Sequence, residues 1–299
     1  MISEGNTDFV YEINNNYGFS DIIYEKCVLS GFNESSLPGI LQLDKRTIAK
    51  KLIEQGGESL CRKIDLPWVE TKNNDVHDVV HGKTPYGDFF FCDMLSGLYQ
   101  FPKSARVLDF GCSTGRVIRN LKSAYPDIAA YGCDPRVKSI DFNKSHIPNV
   151  TWFINNEVPP ILNRESELEF DMVFAISVWS HFGEESAKKW FDEMARLIPA
   201  GGKLIFSTHG LRSIFHLHKV KKAMPEPKAE ERYQALKAGE FHFMPYGTSS
   251  DLNEHWGMSF IPYNWVLNNL AKNWSIEKYS PGLAMANQDV YVLSRNDLS

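Results

Sequence analysis

Four residues in one short arc of the chain, Asp109, Gly111, Gly115 and Asp134, have the types and spacing to hold a small ligand, and two histidines further on, His181 and His209, have the type to move a proton. The run VLDFGCSTGR puts an acid at the end of a β-rich stretch, then two glycines around a tight turn that opens a helical pattern. Glycines there permit positive φ and close approach of a ligand to the backbone. The start of the helix adds free N–H groups. Ser113 and Arg116 occupy the positions where the second and third glycines of a nicotinamide-binding G-x-G-x-x-G would fall, so hydride transfer is disfavoured. An acid before the turn would also repel a pyrophosphate, whereas it suits ammonium and hydroxyl groups. Asp134 closes the next β-rich run, 25 positions after Asp109, where one carboxylate can accept from both hydroxyls of a ribose.

That combination fits S-adenosylmethionine. Attack on its sulfonium needs no base when the acceptor is an amine, carboxylate or thiolate, but a hydroxyl gains from proton removal. Imidazole is the usual group for this near neutral pH. His181 and His209 therefore tilt the reading toward oxygen methylation, with His181 as the base and His209 as orienter or backup. A metal-assisted reaction of the catechol type would need carboxylates after the fourth strand, and Val178-Trp179-Ser180-His181 supplies none, so metal-independent transfer is expected.

The elements that must position these groups are legible in the middle of the chain. Strand-like runs at Arg106 to Phe110, Ala129 to Asp134, Val150 to Ile154, Asp171 to Ser177 and Lys203 to Thr208 alternate with helical patterns at Gly115 to Ala124, Arg136 to Ser145 and Glu184 to Ile198. Such alternation implies a parallel sheet with helices on both faces. Two further strands, Trp274 to Tyr279 and Asp289 to Ser294, are too closely linked for a helical crossover and should pair antiparallel. Between Thr208 and the helix predicted at Pro262 to Asn273 lies an insertion with a basic helical stretch, LRSIFHLHKVKKAM, whose plainest reading is a solvated face. Helices are expected at Lys45 to Gln55, ending at Gly56-Gly57, and at Asp88 to Tyr99, with a polar linker near Lys72 to Asp75.

Composition sets the outer limits. The 299 residues are 43% hydrophobic and 23% charged, the usage of a folded globular protein. The net charge of -5 offers no bulk positive field for duplex nucleic acid. The five cysteines, Cys27, Cys61, Cys92, Cys112 and Cys133, form no C-x-x-C pair and read as reduced thiols of a cytoplasmic protein. The acidic and amide-rich start lacks the pattern of a signal peptide, and no run approaches a membrane span. His77 and His81 stand one helical turn apart, but the zincin pattern needs Glu where Asp78 stands. Pro159-Pro160 falls after the third strand and not after the fourth, where amino-methylating enzymes carry a Pro-Pro-aromatic run.

Val107 to Arg116, Asp134, Phe170 to His181 and Pro199 to Leu204 together resemble the class I S-adenosylmethionine-dependent methyltransferases, and within them bacterial enzymes acting on small metabolites and sugars. The resemblance is good from Arg106 to Thr208, loose from Gly257 to Arg295, and absent from the first 80 residues. It implies an α/β, Rossmann-like seven-stranded mixed sheet of order 3-2-1-4-5-7-6 with helices on both faces. A helical N-terminal cap (1–100) would precede a methyltransferase core (101–299) with a lid inserted at about 210–256. By the same resemblance Asp109, Gly111 and Gly115 line the methionine part of the cofactor, Asp134 holds the ribose, Asn155 or Asn156 meets the adenine edge, and Ser177 and Val178 flank the sulfonium. The family often has Gly where this chain has Ser113; a serine in an ordinary turn conformation there would alter affinity more than abolish binding. Trp179, His242, Tyr246, His255 and Trp256 are expected to face the acceptor, a sugar, glycan or other small molecule. The rival readings are a methyltransferase acting on a protein or RNA, and a non-catalytic module that senses the cofactor or binds a partner; the latter would be expected to lose the acids and glycines that this chain keeps.

Overall fold

The computed structural model describes residues 18–32, 43–69, 84–162, 168–246 and 256–297. Five parallel strands form its centre: β1 (Arg106–Phe110), β2 (Ala129–Asp134), β3 (Thr151–Ile154), β4 (Met172–Ala175) and β5 (Lys203–His209), side by side in the order β3-β2-β1-β4-β5. Their inner members are apolar runs buried on both faces, as a sheet covered by helices on each side requires. Successive side chains then serve opposite cores. Val107, Met172, Phe174 and Ile205 enter the core on one face, and Leu108, Phe110, Val173, Leu204 and Phe206 the core on the other.

The first face is covered by α1 (Gly18–Leu29), α2 (Lys45–Lys63), α3 (Phe89–Leu98), α4 (Ile118–Ala124) and α5 (Val137–His146). Three of these are tied by one buried acid: Asp93 of α3 accepts from the Ser20 N–H at 2.8 Å, the Ser20 hydroxyl at 2.7 Å and Arg46 Nε at 2.5 Å. Gly56-Gly57 does not end α2 as expected; Gly57 takes φ +57 and kinks it, and the helix resumes to Lys63 because Leu60 and Cys61 still have a core to enter. The second face is covered by α6 (Glu184–Leu197), whose Ala187, Trp190, Phe191, Met194 and Leu197 make one apolar stripe.

After β5 come α7 (Leu211–Phe215), which runs into a π-helical turn (His216–Val220), then α8 (Glu226–Ala238), β6 (His242–Pro245), β7 (Gly257–Phe260), α9 (Tyr263–Leu270), β8 (Trp274–Ala284) and β9 (Gln288–Arg295). β9 runs antiparallel to β5 from Lys203 opposite Ser294 to His209 opposite Gln288, and β8 pairs outside it. The last two strands thus complete the expected order at its outer edge. Among the described residues the sheet nevertheless has nine strands and not seven, because the insertion contains an antiparallel hairpin, β6–β7. The hairpin joins the sheet by one parallel rung, His209 with Phe260. Since β9 lines the whole of one edge of β5, β7 must occupy the other, just beyond the point where β4 stops at Ala175 opposite Phe206. β4 also ends two residues earlier than expected, because Ser177 turns out of it at φ +59.

All five cysteines are buried and unpaired. No helix among the described residues is long and apolar enough to cross a membrane. The expected linker near Lys72 to Asp75 and the pair His77 and His81 lie outside the described residues.

Candidate active site

At the carboxyl ends of β1 and β2 the glycine loop is held by its own neighbours. Gly111 and Cys112 both donate their N–H to the Cys133 carbonyl at 2.9 Å, which anchors the loop to the end of β2. Gly111 (φ +79) and Gly115 (φ +67) are in the left-handed region. A Cβ would also strike the protein: at Gly111 it would lie 2.6 Å from Val178 Cγ2, and at Gly115 2.4 Å from Trp152 Cη2. These two glycines therefore admit the chain's own side chains as well as positive φ. Ser113 corrects an expectation, since it takes φ +50 and not an ordinary turn conformation. Two hydrogen bonds from buried partners retain it there, Ser113 N–H to Asp134 Oδ2 at 3.0 Å and Asn143 Nδ2 to the Ser113 carbonyl at 2.7 Å.

Asp109 is buried, and burial pushes its carboxyl up to about 8 despite the nearby Arg116 charge and the Ile118 N–H, both of which oppose the rise. Asp134, also buried, accepts from the Arg136 N–H at 2.9 Å and from Arg136 Nε at 3.0 Å in addition to Ser113. Just past β3, Asn155 is buried; its Nδ2 donates to the Asn156 carbonyl at 2.7 Å, and its Oδ1 has no partner. Asn156 is exposed.

The ends of β4 and β5 form the other half. Ser177 donates its N–H to Ser207 Oγ at 2.8 Å, and the hydroxyls of Ser177 and Ser207 both donate to Gln288 Oε1, at 3.0 and 2.7 Å. Gln288, at the start of β9, was missed in the sequence because only the β5–β9 register brings it there. Trp179 is a second correction. It is fully buried, stacked 4.7 Å from Phe191 and packed on Phe110 and Phe206, so it belongs to the core and not to an acceptor surface.

His181 and His209 are brought together, with ring centroids 6.3 Å apart. His181 Nδ1 lies 2.9 Å from the Gly257 carbonyl of β7 and 2.9 Å from Tyr246 Oη. A carbonyl can only accept, so Nδ1 carries the proton and Nε2 the lone pair. Burial holds the His181 pKa below its usual value, and the ring is uncharged at neutral pH. His209 is enclosed further: Nδ1 lies 3.1 Å from the Ser259 carbonyl, and burial, then the proximity of His181, pushes its pKa down to about 3. The hairpin also delivers Trp256, its ring 5.5 Å from that of His181, while His242 lies on β6 opposite Phe260. His255 lies outside the described residues. Among the described residues, no group of three or more His, Cys, Asp or Glu could hold a metal ion.

A family model described as a methyltransferase domain matches residues 108–204, the stretch from β1 into β5 that carries Asp109, the glycine loop, Asp134, Asn155 and His181. Residues 108–204 are thus a methyltransferase domain, and the sheet around them has the order of the class I S-adenosylmethionine-dependent fold. S-adenosylmethionine is the cofactor of that fold. Over 116 residues the chain is 29% identical to a malonyl-[acyl-carrier protein] O-methyltransferase of Hahella chejuensis, a match covering 37% of this chain and 39% of that protein. Over 109 residues it is 30% identical to a tRNA N(3)-methylcytidine methyltransferase of Schizosaccharomyces pombe, covering 33% and 42%. The matches thus span less than half the length of either relative. Among solved structures, an S-adenosylmethionine-dependent methyltransferase of Clostridium acetobutylicum aligns over 74% of this chain and 96% of its own, at 11% identity and a TM-score of 0.47.

Proposed function

We propose that this methyltransferase moves the methyl group to an oxygen of a small acceptor, a sugar, glycan or other metabolite, without a metal ion, and that His181 is the base. The observation that carries the reading is the tautomer of His181. Its Nδ1–H is committed to the Gly257 carbonyl, so its Nε2 lone pair is left for a proton, at the carboxyl edge of the sheet where ligands of open α/β sheets bind. Residues fit for the cofactor are present at the matching edge. Asn155 Oδ1, buried without a partner, suits the amino edge of adenine, and Asp134 retains acceptor capacity for ribose hydroxyls if the half-exposed Arg136 swings aside. Asp109, with Gly111 and Gly115, lies where an ammonium group would favour its ionised form, and Ser177 and Val178 border the same loop.

The bound cofactor supplies an electrophilic methyl on a sulfonium. The chain aligns the acceptor oxygen with the methyl–sulfur bond, which is the larger part of the rate, and His181 takes the hydroxyl proton for about 10²- to 10⁴-fold more. His209, with its pKa near 3, cannot take a proton at neutral pH; it positions the hairpin through Ser259. Tyr246 and Trp256 border His181 as acceptor-facing side chains, with His242 behind them on the hairpin.

The name of the Hahella relative favours a second reading, a carboxylate acceptor on a carrier protein, which would need no base. The two separate in one assay with labelled cofactor across hydroxylated and carboxylated acceptors, with and without EDTA. Methyl transfer to a hydroxyl that survives EDTA and is lost in His181→Ala supports the first. Methylation of carboxylates alone, indifferent to His181→Ala, supports the second, and activity restored only by added magnesium overturns the metal-free step.

A further inference from the structure

Among the described residues of the lid, a buried cation stands without an ion-pair partner. Arg232 of α8 is 1% exposed. Its Nη1 donates to the Lys228 carbonyl at 2.6 Å, its Nη2 abuts the Met244 sulfur, its guanidinium carbon lies 5.7 Å from the centre of the Phe260 ring, and its buried Nε has no hydrogen-bond partner. No carboxylate among the described residues forms an ion pair with it; Glu231, its neighbour in the chain, acts only through the field. A guanidinium offers five donors in a fork shaped for two oxygens, and a thioether and one carbonyl use little of that capacity. A buried charge without a partner destabilises the protein that holds it, and an apolar side chain of the same shape commonly does better. Such a residue is explained when a ligand brings the missing charge.

Its surroundings say which ligand. His242 stands on β6 opposite Phe260, its ring 6.3 Å from the Phe260 ring that the Arg232 guanidinium also faces, and its pKa is lowered first by burial and then by the Arg232 charge. The Phe260 ring is 5.3 Å from that of His209, which is 6.3 Å from that of His181. The guanidinium thus lies behind the same hairpin that holds the candidate base, on the acceptor side of the sheet. We propose that Arg232, with His242 beside it, is the recognition site for an anionic oxygen group, a carboxylate or a phosphate, carried by the acceptor. This rests on the placement of the acceptor under the β6–β7 hairpin.

The test is thermal unfolding and calorimetric titration of the full chain with sodium phosphate and with sodium acetate, each against sodium chloride at equal ionic strength. One of the two anions should raise the Tm beyond the chloride control, phosphate and acetate distinguishing the two chemistries. Arg232→Met, uncharged and similar in shape, should fold with a Tm at or above that of the wild type and lose the anion increment, while Arg232→Lys keeps part of it. An increment that persists in Arg232→Met, or a wild type that does not distinguish either anion from chloride, overturns the proposal. So does an Arg232→Met chain that melts several degrees lower or fails to fold, because the arginine would then be structural. S-adenosylhomocysteine binding, followed in the same samples, reports separately on the methyltransferase reading.

Discussion

The two halves of the site meet the same edge of the sheet but are held in opposite ways. The glycine loop is fixed by partners close in sequence: Gly111 and Cys112 on Cys133, Ser113 on Asp134, Asp109 near the Ile118 N–H. The acceptor half is assembled from far apart, His181 with Tyr246 and Gly257 across 65 and 76 positions, Ser177 with Gln288 across 111. Electrostatically they differ as well. The loop buries acids, and the lid buries imidazoles and a guanidinium. A local motif can be retained while the distant elements change, which suits a half that binds an invariant cofactor beside a half that must choose an acceptor.

The strongest way to break this division is His181→Ala. It should lower kcat by about 10²-fold or more and leave cofactor affinity nearly unchanged, as steady-state kinetics and calorimetry would show, because the lost interaction belongs to the transition state. Cofactor affinity falling in parallel would mean that the halves are not separate. Next in size, Asp134→Ala should weaken S-adenosylhomocysteine binding by about 10- to 100-fold, the range expected for loss of hydrogen bonds to a charged group. An unchanged Kd by calorimetry would remove Asp134 from the site.

The halves should also respond to pH with opposite signs. Asp109 keeps a proton up to about pH 8 in the native state, whereas the unfolded carboxyl loses it near its ordinary value of 3.8. Stability should therefore fall as pH rises through that window and level off above it. His209 refuses a proton down to about pH 3, whereas an unfolded imidazole accepts one near 6.5. Its contribution is complete above pH 6.5 and is lost as pH falls toward 3. Urea midpoints measured from pH 4 to 9 should show Asp109→Asn flattening the alkaline-side decline and His209→Gln the acid-side one; if each variant leaves its slope intact, the burial argument is wrong for that residue. Smallest of all, Ser113→Gly should raise stability by about 1 kcal/mol by relieving a left-handed serine. A lower urea midpoint would show that the serine side chain contributes more than its conformation costs.

The same contrast explains what could be read from the chain. β1, β2 and β5 and the loop between β1 and α4 announce themselves through apolar runs ending in acids and glycines, a signal contained within about ten residues. The hairpin β6–β7 did not, since its strands are four residues each, one ends in Pro245, and their pairing spans the segment between them. Trp179 was misassigned for a related reason: its position after β4 pointed to the site, whereas its size and neighbours sent it into the aromatic core beside Phe191. Tyr246 and Trp256 were legible as an aromatic cluster, but their convergence on His181 depends on the pairing of β6 with β7. Arg232 carried no signal at all, because a buried cation in a charged helix looks like a surface one until the hairpin is laid against it.

The attachment of that hairpin has a consequence for how such an enzyme can diversify. One rung, His209 with Phe260, and three backbone hydrogen bonds, Gly257 to the His181 carbonyl, Ser259 to the Ser180 carbonyl and Ile261 to the His209 carbonyl, graft it onto an otherwise complete sheet. None of these links uses a side chain of the hairpin, although Ser259 Oγ adds a bond to the Phe182 carbonyl and a Cβ at Gly257 would lie 2.0 Å from the Met244 carbonyl oxygen, so the sequence can change around those positions while the seat stays the same. On the proposed reading, acceptor choice in this architecture is transplantable: a different hairpin that keeps those contacts would inherit the glycine loop, His181 and the sheet unchanged, and bring a new substrate with it.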